Sequence, residues 1–164
     1  KYCDEYMKYL DNSKTERLAV KSAIELAKKA GFEEFKRGHE YKAGDKLYKS
    51  IRGKALILVV MGKRGLEDGM NIAGAHVDAP RLDLKQIPMY EDSEIAFFKT
   101  HYYGGIKKYQ WTAIPLALHG CVAKKDGSVV KVNLGEDEED PQFCVTDLLP
   151  HFLLSGGGRH RLDE

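Results

Sequence analysis

An α/β fold, with helices first and strands after, is what this sequence predicts, and three features carry the prediction. Between Ser13 and Gly31 lies a segment with a helix-start signal, four-residue apolar spacing and a glycine stop. Ala55 to Met61 is an unbroken run of apolar, mostly branched residues. From Arg81 onward apolar and polar residues alternate between turn signals, the period of half-buried strands.

Taken in order, residues 1 to 11 have helical spacing, with Tyr2, Tyr6 and Tyr9 or Leu10 on one side, and Asp11-Asn12 closes them as a short leading helix. Ser13-Lys14-Thr15-Glu16 reads as a capping box, the Ser13 hydroxyl accepting from an orphan N–H while Glu16 reaches back. The helix it opens, residues 14 to 30, sets Leu18, Ser22, Leu26 and Ala30 beside Ala19, Ala23 and Ala27, a small-residue stripe suited to close packing on a sheet. Lys46 to Ile51 reads as a strand and Arg52-Gly53 as a turn. The apolar run that follows suits a strand buried on both faces. Gly62 to Gly69 reads as a charged surface turn, and Met70 to Ala75 as a second short buried strand that ends at His76.

Beyond Arg81, Leu82 with Leu84, Ile95 with Phe97, Trp111 to Cys121, and Val129 to Leu134 predict a mostly β half, turning at Gly104-Gly105 and Asp126-Gly127. Glu136 to Asp140 is an acidic, solvated loop closed by Pro141. A short helix from Thr146 or Asp147 toward Leu154 and a flexible, charged tail complete the expectation.

The 164 residues are 43% apolar, enough to bury a core as one domain or two small ones. Lysine and arginine total 26 against 25 acidic residues, so no positive field draws in nucleic acid or an anionic membrane. The longest apolar run falls far short of the roughly 20 residues that span a bilayer, and no secretory leader opens the chain. Cys3, Cys121 and Cys144 form no C-x-x-C pair, which fits a reducing cytoplasm; Cys121 and Cys144, in apolar strand context, read as buried small hydrophobes. Gly62, Gly65 and Gly69 match neither a Walker loop nor a dinucleotide fingerprint.

One pair of residues points to chemistry. In His76-Val77-Asp78-Ala79-Pro80, the two polar side chains lie two apart, so on extended backbone they share a face, and at a strand's carboxyl end that face borders a crevice. Imidazole is a good zinc ligand, and a nearby carboxylate holds its other N–H or binds metal itself. By itself the pair is weak, because such spacing arises by chance and a lone histidine is more often a hydrogen-bonded polar residue than a ligand.

The frame around the pair is more specific. Gly74-Ala75-His76-Val77-Asp78-Ala79-Pro80, then Arg81-Leu82-Asp83-Leu84-Lys85, Tyr103-Gly104-Gly105 and Trp111, resembles in order the aspartyl aminopeptidase and aminopeptidase I family of zinc metallopeptidases, over roughly residues 1 to 152. That resemblance implies a mixed-sheet catalytic domain whose N-terminal part is residues 1–85, an inserted β-rich assembly domain over 86–152, and a tail over 153–164. It implies His76 as a metal ligand, Asp78 as its catalytic support, a two-zinc site with cobalt or manganese as alternatives, peptide substrates, and homo-oligomers up to a tetrahedral dodecamer. Val77 and Ala79 stand where the family often has Thr and Ser, removing hydroxyls beside the site.

The family's remaining carboxylates and late histidine have no counterpart before residue 164. Glu33-Glu34 precedes the metal histidine, the reverse of the family order, and reads as solvated; His151 lies a few residues before the family's inter-subunit histidine position. His39, His101, His119 and His160 carry no ligand signal. The expectation is therefore the N-terminal portion of an aminopeptidase, inactive alone, with a non-catalytic fragment or assembly module as the alternative. The preference for acidic or neutral N-terminal residues stays open.

Overall fold

The computed structural model describes residues 1–146. The expected helix toward Leu154, the tail and His151 lie outside the described residues. The chain divides into two compact units, Lys1–Ala79 and a second beginning at Pro80.

In the first unit, helix α1 spans Tyr2–Asp11 and helix α2 spans Glu16–Lys29. Helix α2 begins later than the capping-box reading places it. Thr15, extended at φ −133°, is the cap, its hydroxyl accepting from the Leu18 N–H at 3.3 Å. Ser13 is still occupied with leaving α1, its N–H donating to the Leu10 carbonyl. Thr15→Ala should cost about 1 kcal/mol of first-unit stability, the usual worth of a hydroxyl cap, readable as a lowered urea midpoint. At the other end, Gly31 at φ +83° stops the helix: its N–H donates to the Lys28 carbonyl and that of Phe32 to the Ala27 carbonyl, which satisfies two carbonyls the helix leaves unpaired.

The alanine side of the expected stripe is the packed face of α2, which leans toward Val20 and away from Leu26. Ala19, Val20 and Ala27 are buried, while Leu26 is 53% exposed. The helix packs on a sheet whose strand β2 (Lys46–Ile51) carries the buried Leu47 and Tyr48 on opposite faces and pairs in parallel with the two-residue β1 (Glu33–Glu34) and antiparallel with β3 (Ala55–Val60). The Arg52-Gly53 turn joins β2 to β3 with positive φ at both residues, and Arg17 ties α2 to it by donating to the Arg52 carbonyl at 3.0 Å.

Two expectations fail here. Strand β3 forms, yet Ile57, Leu58, Val59 and Val60 are all exposed, because β3 ends the sheet among the described residues. Residues 70–75 form no strand; without a ladder partner they run irregular, with Met70 62% and Ile72 81% exposed. Leu66–Asp68 makes one 3₁₀ turn within the predicted surface loop.

The second unit consists of two antiparallel pairs. Strands β4 (Arg81–Asp92) and β5 (Ile95–Tyr103) form a long hairpin, and β6 (Leu118–Ala123) pairs with β7 (Val129–Leu134) across the Asp126-Gly127 turn. The stretch from Trp111 is strand only from Leu118: Ala113 has positive φ and Pro115 lacks an N–H, so Thr112 and Leu116 make isolated bridges to Val145 and Phe143 instead. Cys121 and Cys144 are exposed, as is Cys3, contrary to the buried reading, since nothing among the described residues covers the faces that carry them.

The β4–β5 register slips between Leu84 and Met89, and inside the slip Ile87 sits at φ +50° with 91% of its surface exposed. A β-branched residue in the left-handed region is strained, and this one buries nothing in return. Ile87→Asn should therefore raise stability by about 1 kcal/mol, the strain of that region for a non-glycine residue, measured as an increased urea midpoint.

Among the described residues, no helix is long and apolar enough to cross a membrane.

Candidate metal ligand and its support

His76 and Asp78 lie near the end of the first unit, on the irregular segment that precedes β4. They do not need a strand to meet. The imidazole Nδ1 lies 3.1 Å from the Asp78 carboxylate oxygen Oδ1 and 3.0 Å from the Asp78 main-chain carbonyl. With its proton on Nδ1, the ring donates to both, and the lone pair is left on Nε2. The His76 side chain is 85% exposed and that of Asp78 41%, so Nε2 is accessible from solvent.

This is the arrangement a zinc-binding imidazole requires. A carboxylate on the far nitrogen fixes the tautomer, sets the ring plane and raises the basicity of the ligating nitrogen. The pair fits one corner of a zinc site. It does not make a whole one, because zinc takes four ligands and no group of three or more His, Cys, Asp or Glu side chains that could hold a metal occurs among the described residues.

The start of β4 supports the motif that follows. Arg81 donates from Nε to the Asp83 carboxylate at 2.8 Å and lays its guanidinium 4.1 Å from the centre of the Tyr103 ring. Arg81 and Tyr103 are also ladder partners, which brings Tyr103-Gly104 back against Pro80. A Cβ on Gly104, at φ +83°, would come within 3.4 Å of the Pro80 Cα. Sequence reasoning noted the two motifs in order but missed that hairpin register joins them; the alternation on either side of Asp92 was the available signal.

The other histidines are placed elsewhere. Nε2 of His119, on β6, lies 2.7 Å from a Glu136 carboxylate oxygen, a hydrogen bond that ties β6 to the acidic loop. His101, on β5, stacks with Tyr102, and His39 meets the edge of Tyr41. Glu33 and Glu34 are exposed, as expected.

A family model described as aminopeptidase I zinc metalloprotease (M18) matches residues 9–157. The chain belongs to the M18 family of aminopeptidases. A probable M18 family aminopeptidase 1 from Clostridium acetobutylicum is 50% identical over 152 residues, covering 90% of this chain and 33% of that protein. A protein of the same description from Thermotoga maritima is 43% identical over 157 residues, covering 92% and 33%. Among solved structures, aminopeptidase I from Borrelia burgdorferi superposes with a TM-score of 0.85 at 42% identity, covering 91% of this chain and 37% of that one. The M18 aminopeptidase from Thermotoga maritima superposes with a TM-score of 0.86 at 39% identity, covering 99% and 35%. The mixed α/β architecture with small sheets is thus that of M18 structures, and the chain spans about a third of the length of the M18 relatives it matches.

Proposed function

We propose that these residues serve a metal-dependent aminopeptidase that releases N-terminal residues from peptides, with His76 as a zinc ligand through Nε2 and Asp78 as the carboxylate that orients it. The observation that carries this reading is the 3.1 Å contact between His76 Nδ1 and Asp78 Oδ1 within a chain of a family described as zinc metalloproteases. His76 would contribute one ligand to zinc, or to cobalt or manganese in its place, and the metal would supply Lewis acidity toward a water and the scissile carbonyl. What this chain's residues do is narrower. His76 presents an imidazole nitrogen, and Asp78, by accepting from Nδ1–H, selects the tautomer whose lone pair lies on Nε2.

Residues 1–85 belong in this reading to the catalytic domain, and residues 86–152 to an inserted β-rich domain through which copies assemble, up to a dodecamer, in the cytoplasm. The long β4–β5 hairpin, with Met89, Tyr90, Ile95 and Tyr102 exposed, supports an assembly role. A second reading, a non-catalytic assembly module, is favoured by the absence of a third metal-ligating group among the described residues.

The test is hydrolysis of Leu- and Asp-p-nitroanilide after addition of zinc, cobalt or manganese, with and without chelator. The intact mass is measured beside it on the same preparation. Chelator-reversible turnover supports the enzyme, and the preferred substrate reports the branch. Oligomers with a chain mass near 18.5 kDa and no turnover support the assembly module.

A further inference from the structure

We infer that Pro80 is a positioning residue for His76, acting through the backbone that carries the Asp78 carbonyl. This rests on the reading of His76 as a zinc ligand, yet its test needs no zinc. The His76 ring meets Asp78 twice, with Nδ1 3.1 Å from the carboxylate and 3.0 Å from the main-chain carbonyl. The carbonyl lies in the rigid peptide plane that joins Asp78 to Ala79, so its direction is set by ψ of Asp78 and φ of Ala79. Residues 70–80 belong to no helix or strand. No ladder therefore fixes those torsions.

Proline supplies a local restriction in its place. The Pro80 ring crowds the backbone of the residue before it, which confines Ala79 to the extended and polyproline regions. The β4–β5 ladder begins immediately after Pro80: Arg81 pairs with Tyr103, lays its guanidinium 4.1 Å from the centre of that ring, and donates from Nε to Asp83 at 2.8 Å. The other strand leaves the ladder at Gly104, whose φ is +83°. A Cβ built there would stand 3.4 Å from the Pro80 Cα and 3.6 Å from its Cβ and Cγ. The nearest of those atoms is backbone, which cannot swing aside as the end of a flexible side chain can. A side chain at residue 104 that relaxes from its strained torsion therefore pushes against Pro80.

Gly127 provides a matched comparison within the same unit. Its φ is also +83°, so alanine there meets the same torsional strain, but a Cβ built on it has nothing within 4 Å. The two glycines differ in whether Pro80 is the neighbour.

The experiment reads the tautomer of His76 from imidazole nitrogen shifts in the metal-free 164-residue chain, at about pH 9, where ordinary histidines are neutral. The proton of the unsubstituted chain should sit on Nδ1. Pro80→Ala frees Ala79 and should lower the ratio of Nδ1–H to Nε2–H about two- to five-fold, the usual size of a proline's restriction on the backbone. Gly104→Ala should lower the ratio as well, whereas Gly127→Ala should leave it unchanged. Asp78→Ala sets the scale, because it removes the carboxylate acceptor itself. A ratio that falls in Asp78→Ala and stays constant in Pro80→Ala overturns the role of Pro80 alone. Equal falls in Gly104→Ala and Gly127→Ala overturn it too, since they would report a general loosening of the second unit. A ratio indifferent to Asp78→Ala would remove the support assigned to Asp78 and the role of Pro80 with it.

Discussion

His76→Ala is expected to remove zinc and turnover together from an M18 aminopeptidase that carries these residues. The imidazole is the one group in the Gly74 to Pro80 segment with a nitrogen lone pair turned away from its own hydrogen bonds, and alanine offers no donor. Asp78→Ala should act more gently. It removes the carboxylate 3.1 Å from Nδ1 but leaves the main-chain carbonyl at 3.0 Å, so the ring keeps one of its two anchors. Loss of such a support typically costs about 10- to 100-fold in metal affinity or activity, and loss of the ligand should exceed that. Asp78→Asn retains an acceptor oxygen without the charge and should fall between wild type and alanine. The measurement is zinc retention against a competing chelator, taken beside hydrolysis rates. Equal losses from His76→Ala and Asp78→Ala would make Asp78 a ligand in its own right. A His76→Ala protein that keeps its zinc would sink the assignment.

The relation between sequence and structure differs sharply from one segment to the next. Strands β2 and β7 occupy the residues that alternation and turn signals marked, because a hairpin supplies its own partner within a few residues. Helix α2 was legible for the same reason, since period and glycine stop are local, although its cap is Thr15 and not the Ser13 of the capping-box reading. What local pattern could not settle was cover. Ala55 to Val60 and Met70 to Ala75 have the composition of buried strands, and composition states what a segment needs rather than whether a neighbour provides it. The first segment found β2 on one edge and became a strand; the second found no partner among the described residues and did not.

The candidate pair stood out in the sequence by residue type and spacing, and its contact forms by a different geometry from the one spacing suggested. A two-residue separation on extended backbone sets side chains on one face, some distance apart. Here the backbone is irregular, and His76 turns Nδ1 onto both the side chain and the carbonyl of Asp78. The carbonyl contact depends on backbone torsions that spacing does not encode. The role of Gly104 was equally hidden, since its need for positive φ and its approach to Pro80 follow from the Arg81↔Tyr103 register, a pairing 22 residues apart in sequence.

Val20→Asp is expected to unfold the first unit. Val20 is 1% exposed, the most deeply buried large side chain on α2, and the described core around it is small: Ala19, Ala27, Leu47 and Tyr48. An ionised carboxylate in that position loses its water without gaining a partner, a cost of several kcal/mol even after relaxation. Whole domains are stable by only about 5–15 kcal/mol, and a unit with so little buried apolar surface should sit toward the lower end. Val20→Ala, which removes two methyl-sized groups, should cost about 1.6 kcal/mol at ~0.8 kcal/mol per group and leave a cooperative transition. The control is Leu26→Asp on the same helix, 53% exposed, which should shift the midpoint little although leucine is the larger side chain. Far-ultraviolet circular dichroism during urea unfolding separates these outcomes. If Leu26→Asp proved as damaging as Val20→Asp, then α2 would pack through the Leu18, Ser22 and Leu26 row after all, and the lean of its buried face toward Val20 would be wrong.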